Sequence, residues 1–194
     1  METAAVQTSG AADTRQRLID VAVDLFTRHS FAGTSLQMIA DEMGFTKAAI
    51  YYHFRTREEL LGAVVQPIFE QLSGIVTAAD AQRGAGARAD YMLCGYAELA
   101  VENRGLVSVL ACDPSVTTLL RSQPHWADLI NRQLALLAGG EPNPGGLIKA
   151  SIALAGISSA VGPAWTDLDD DNLLRYLVDT GRRTLGLRKK GIRA

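Results

Sequence analysis

The segment from Gly33 to Glu58 constrains this chain more than any other: it holds two short helical patterns separated by one glycine, Gly44. Thr34 and Ser35 are N-cap residue types at the start of the first pattern, and Thr34 with Gln37 has capping-box spacing. Ile39, Ala40 and Met43 fall on its inner side. Gly44 tolerates the left-handed conformation that ends a helix, and Phe45 turns inward. Thr46 then caps a second helix running to about His53, with Ala49, Ile50 and Phe54 as core contacts. Two short helices joined this way form a helix-turn-helix, whose second helix projects its first residues toward a DNA groove.

The rest of the chain supplies almost no strand signal and no hairpin turn between alternating runs. Helical spacing recurs over about Thr14–His29, Arg57–Ala79, Ala89–Asn103, Leu106–Ala111, Ser115–Arg121, Pro124–Ala138, Leu147–Val161 and Asp170–Leu187. These segments predict an all-α fold. A flexible Ala-rich arm (1–12) precedes a three-helix DNA-binding head (13–56), a larger helical body (57–187) and a basic tail (188–194). Asp80–Arg88 and Glu141–Gly146 read as loops. Pro67 interrupts the long helix after the head, so a kink is expected before it, and it is the hinge candidate.

A chain that is 47% hydrophobic and 21% charged can bury a sizeable core. Its net charge of -2 excludes a uniformly basic coat, so a DNA-binding surface must be a local patch. The weakly charged run Ala150–Trp165 is too short for a membrane span, and the protein is expected to be soluble and cytoplasmic. There is no HExxH, GxSxG or P-loop, and His29, His53 and His125 share no motif, which argues against an enzyme, a metal site or a cofactor. Cys94 and Cys112 have no CxxC spacing and read as reduced buried thiols, with a redox switch as the lesser reading. Gly84 to Ala89 matches a loose GxGxxA pattern, but no strand precedes it.

At the expected reading helix, Thr46, Lys47 and Ala48 come first. Lys47 can donate to a guanine edge or a phosphate, and Ala48 is small enough for close approach. Tyr51, Tyr52 and His53 follow. Two adjacent tyrosines cannot both face the core, so at least one phenol is available to a phosphate oxygen. Thr34, Ser35 and Gln37 open the preceding helix, and Arg55 and Arg57 add charge after it. The plain alternatives are a core-edge tyrosine, an unengaged surface histidine and ordinary solvated charges at Lys47 and Arg57. Residues 1–60 also hold more acid than base, so the reading requires Asp41 and Glu42 to face away from phosphates.

Residues from about Thr14 to Leu61 resemble the tetracycline repressor (TetR) family of one-component regulators. The resemblance is carried by Leu25-Phe26, Gly33-Thr34-Ser35, Ile39-Ala40, Gly44-Phe45-Thr46-Lys47, Ile50-Tyr51-Tyr52-His53-Phe54 and Thr56-Arg57-Glu58-Glu59-Leu60. The family often has Gly where Ala48 stands and Lys where Arg57 stands. The resemblance implies a homodimeric repressor that binds a double-stranded, palindromic DNA operator and is released by a small-molecule effector in its helical body. The helices near 147–161 and 170–187 would pack as a four-helix bundle between subunits. Small residues in the first (Ala150, Ala153, Ala155, Gly156, Ser158) and leucines in the second agree with that, although a core within one chain explains the same stripes. The body lacks concentrated charge, so a mainly apolar pocket is expected, with Tyr91, Cys94, Trp126 and Trp165 as candidate lining residues; each also reads as plain core. The alternative function is a ligand-sensing or protein-binding helical module that no longer grips DNA specifically.

Overall fold

The computed structural model describes residues 3–139, 143–162 and 168–187, with side-chain surroundings described from Asp13 onward except at Val109 and Cys112. Its elements are helices: α1 (Thr3–Gly33), α2 (Leu36–Met43), α3 (Lys47–His53), α4 (Arg57–Asp80), α5 (Ala85–Glu102), α6 (Arg104–Cys112), α7 (Pro114–Ser122), α8 (Pro124–Leu137), α9 (Pro144–Ala160) and α10 (Asp170–Leu185). No strand occurs among the described residues. The chain divides into two compact units, Met1–Pro67 and Ile68–Ala194. That division lies beyond the one read at 56/57, because the first turns of α4 bury Leu60, Leu61, Val64 and Val65.

The head is built on α1. Leu18, Ala22, Leu25 and Phe26 recur at helical spacing and are all buried, as are Ile39 and Ala40 of α2, Ile50 of α3, and Phe54. Removing each large side chain from water contributes about 1.5–3 kcal/mol. Phe31 meets Phe26 edge-on, with ring centroids 5.3 Å apart. α1 turns sharply at Ser30, whose φ of 62° is non-helical. The expected end at His29 coincides with this turn. The helix starts at Thr3, however, so residues 3–12, read as a loose arm, are helical; their alanines favour that state.

The body centres on α5, where Met92, Leu93, Ala97 and Ala100 are fully buried. α8, α9 and α10 pack around it. α10 approaches closely because Gly181 has no side chain: a Cβ there would lie 2.5 Å from Leu93 Cδ1. The Tyr96 hydroxyl bonds Ser158 Oγ at 2.7 Å, tying α5 to α9, while Asp90–Arg182 (2.6 Å) ties α5 to α10 and Asp80–Arg132 (2.5 Å) ties α4 to α8.

Two helix starts and the run through Pro67 differ from the sequence reading. α5 begins at Ala85, inside the expected Asp80–Arg88 loop, and α9 begins at Pro144, inside the expected Glu141–Gly146 loop. Proline suits a first helical turn, and Asn143 caps this one by accepting from the Gly146 amide. α4 runs through Pro67 as one unbroken helical span. By length and mean hydropathy (1.3) α4 also meets the measure of a membrane span, which the sequence reading did not single out. About a third of that apolar window is buried, with Leu60, Leu61, Leu72 and Val76 among the buried side chains of α4. The basic tail, 188–194, lies outside the described residues.

Candidate nucleic-acid interface

Two caps set the angle between α2 and α3. Ser35 Oγ accepts from the Met38 amide at 3.2 Å, which starts α2. Gly44 adopts φ 66°, and the Phe45 amide bonds the Ala40 carbonyl at 2.8 Å, which stops it. Thr46 Oγ1 then accepts from the Ala49 amide at 3.3 Å and starts α3. Phe45 is half-buried rather than enclosed in the turn.

α3 has a buried side, Ile50, and an exposed one. Thr46, Lys47, Ala48, Tyr51 and Tyr52 are all exposed, the tyrosines by 44% and 82%. Positions 47, 48, 51 and 52 share one helical face. The Lys47 ammonium lies 5.7 Å from the Tyr51 ring centroid, and the half-buried His53 packs edge-on against Tyr52 at 5.2 Å. The face therefore combines a cation, two phenol hydroxyls and a small residue, a set that can bond phosphates and approach base edges.

Not every residue expected at the interface reaches it. Thr34 is 1% exposed, and its hydroxyl donates to the Ser30 and Leu25 carbonyls at 2.8 and 3.2 Å. Ser35, not Thr34, caps α2, so the Thr34–Gln37 capping box does not form and Thr34 is a core residue. Arg57 is likewise committed: Nη1 donates to the carbonyls of Phe31, Ala32 and Thr34 at 3.0–3.2 Å, and the guanidinium lies 4.2 Å over the Phe31 ring. Through Nη1 it closes the turn between α1 and α2, while Nη2 lies 3.7 Å from Glu58. Gln37 is exposed, but its carboxamide donates to Asp41 at 2.7 Å. Of the two carboxylates required to face away, Glu42 lies 3.5 Å from Arg28 of α1, whereas Asp41 shares the side of Gln37. Arg15 was missed. It is exposed and stacks 4.8 Å over Phe54, placing a guanidinium beside the end of α3. Nothing local in the sequence pairs those two positions.

In the body, Tyr91 and Cys94 border one cleft of about 400 Å³ with Gln82, Asp90 and Leu187. Burial and the Asp90 charge push the Cys94 thiol up, against the opposing effect of Arg182. Trp126 lies elsewhere, buried against Phe69 with centroids 5.2 Å apart. Trp165 lies outside the described residues. The four pocket candidates are thus not brought together in one described cavity.

A family model described as bacterial regulatory proteins, tetR family, matches residues 18–64. Among curated proteins, the HTH-type transcriptional regulator AcrR of Shigella flexneri is 41% identical over 54 residues, covering 28% of this chain and 25% of that protein. The HTH-type transcriptional regulator SrpR of Pseudomonas putida is 40% identical over 55 residues, covering 28% and 26%. The HTH-type transcriptional repressor KstR2 of Rhodococcus jostii (strain RHA1) is 30% identical over 67 residues, covering 34% and 33%. The matched segment thus spans only about a quarter to a third of these relatives. Among solved structures, a bacterial regulatory protein in the tetR family from Rhodococcus RHA1 superposes with a TM-score of 0.67 at 21% identity, covering 90% of this chain and 98% of that one. A member of the TetR transcriptional regulator family from Streptomyces coelicolor A3 gives 0.66 at 21% identity, covering 89% and 91%. These two agree in fold.

Proposed function

We propose, on the premise that the chain belongs to the TetR family of bacterial regulatory proteins, that it is a cytoplasmic DNA-binding transcriptional repressor released by a small, mostly apolar molecule. The observation that carries this reading is the outer face of α3, where Lys47, Ala48, Tyr51 and Tyr52 stand exposed on a helix capped at its start. Lys47 contacts a guanine edge or a phosphate, the phenols bond phosphate oxygens, and Arg15 adds positive charge nearby. The repressor direction follows the related repressor of Rhodococcus jostii.

Operator recognition needs two heads. A homodimer is supported by an open apolar groove of about 360 Å³ between α9 and α10, bordered by Ile152, Gly156, Tyr176 and Leu177. Ile152 (57%) and Tyr176 (52%) are exposed along it, and Ile148 (60%) is exposed one turn before Ile152 on α9, apolar surface that association would cover. In the dimer, two copies of α3 enter successive major grooves about 34–36 Å apart. Effector binding favours a different arrangement of the heads, with a coupling of about 1–3 kcal/mol. Pro67 is the hinge, since it removes one backbone hydrogen bond from α4 where the two compact units divide.

Selection of bound duplexes from random DNA tests the reading. The expected product is an inverted repeat whose affinity falls steeply with salt, and Lys47→Ala should weaken binding to every duplex and flatten that dependence. Binding without site preference and without salt dependence would end the DNA reading.

A further inference from the structure

We propose that Gln133 is the polar anchor of the ligand site in the body, donating from its Nε2 to a carbonyl or similar neutral acceptor on an otherwise apolar molecule. The proposal rests on the ligand-responsive reading above. Gln133 lies on α8 and is 4% exposed. Among the described residues, its Nε2 is the buried side-chain nitrogen or oxygen without a hydrogen-bond partner. The other buried polar side chains of the body are satisfied close by. Asp113 accepts from the Ser115 amide at 2.9 Å. Ser158 bonds the Tyr96 hydroxyl and donates to the Leu154 carbonyl at 2.9 Å.

The position is the inner stripe of an amphipathic helix. Trp126, Leu129, Gln133, Leu136 and Leu137 fall on one side of α8, and all but Leu129 are buried. Helical spacing calls for an apolar residue at 133, and leucine or methionine would fill it without enclosing a donor. An amide shut away without a partner weakens the free protein and gains a bond when a ligand brings an acceptor. Such a donor favours a ligand that carries the acceptor over an isostere that lacks it by about the worth of one hydrogen bond. Trp126, two turns earlier on the same stripe, packs against Phe69 of α4 with ring centroids 5.2 Å apart. The adjacent cation, Arg132, is exposed and held by Asp80, so it leaves no charge to match an anionic ligand. The class that fits is an uncharged aromatic or alicyclic molecule bearing one carbonyl.

Calorimetric titration of the full chain with acetophenone and with α-methylstyrene, which replaces C=O by C=CH₂ at nearly the same shape, provides the test. Gln133→Met and Gln133→Leu should each reduce the preference for the ketone by about 3- to 10-fold relative to wild type. Neither substitution should lower the Tm of the free protein. An unchanged preference in both variants overturns the assignment, as does failure of the wild type to bind the ketone. A lowered Tm in both variants overturns it too, because the carboxamide would then be held by the fold itself. Duplex selection on the same preparations keeps the two readings apart. Retained operator binding without a ketone preference removes Gln133 alone, whereas loss of site-selective DNA binding in the wild type removes the regulator reading.

Discussion

Thr34 and Tyr52 are both hydroxyl residues in the helix-turn-helix segment, and burial assigns them opposite work. Thr34 is enclosed and bonded to two carbonyls, while Tyr52 is 82% exposed on the face of α3. Thr34→Val keeps the shape and removes the donor, so the head should lose about 1–2 kcal/mol in urea unfolding, with operator affinity of the folded protein unchanged. Tyr52→Ala should do the reverse, leaving the unfolding midpoint in place and weakening duplex binding by about 3- to 10-fold in an electrophoretic shift titration, the worth of one phosphate hydrogen bond. Arg57→Met belongs with Thr34: three carbonyls lose a partly exposed charged donor, and a stability cost of about 1–2 kcal/mol is expected. Sequence alone could not separate these roles. Thr34 and Ser35 are adjacent cap-forming types, and the choice between them is made by the turn at Ser30, which aims the Thr34 hydroxyl at the Leu25 and Ser30 carbonyls.

Helices carry the next set of consequences. α10 has Asp169 at its N-cap, Asp170 and Asp171 in its first turn, and Arg182 and Arg183 in its last, a distribution that complements the helix dipole. Asp169 accepts from the Asn172 amide, which holds its carboxyl below the usual carboxylate range. A depressed folded value means that the stabilisation is present above the ordinary carboxylate pKa and lost as pH falls through the folded one. Asp169→Ala should therefore lower the urea midpoint at pH 7, and the gap to wild type should close as the pH is taken below about 4. α10 and α5 meet at Gly181, where an added methyl would overlap the buried Leu93. Gly181→Ala gains about 0.5–1 kcal/mol of helix propensity but forces an overlap that costs about 1–3 kcal/mol, so a net loss in denaturant unfolding is expected. The helix existed in the pattern of Leu173, Leu177 and Leu185; the need for glycine on it did not, because Leu93 is remote in sequence.

At the scale of the whole molecule, the exposed apolar side chains of α9 and α10 matter most. Ile152→Lys sets a charge in that groove and should convert a dimer to a monomer in analytical ultracentrifugation. Operator affinity should then fall by about 100-fold or more, since the second head no longer binds at high effective concentration. The all-helical architecture, the capped turn at Gly44 and the exposure of at least one of Tyr51 and Tyr52 were determined by the sequence, because they depend on near neighbours and on helical spacing. Only the tertiary structure decided that Thr34 and Arg57 face inward, that Arg15 stacks beside α3, and that Gln133 hides an unsatisfied donor. Each of those depends on which surfaces pack together across long stretches of chain, and hydrophobic spacing specifies that a face is buried without specifying what it is buried against.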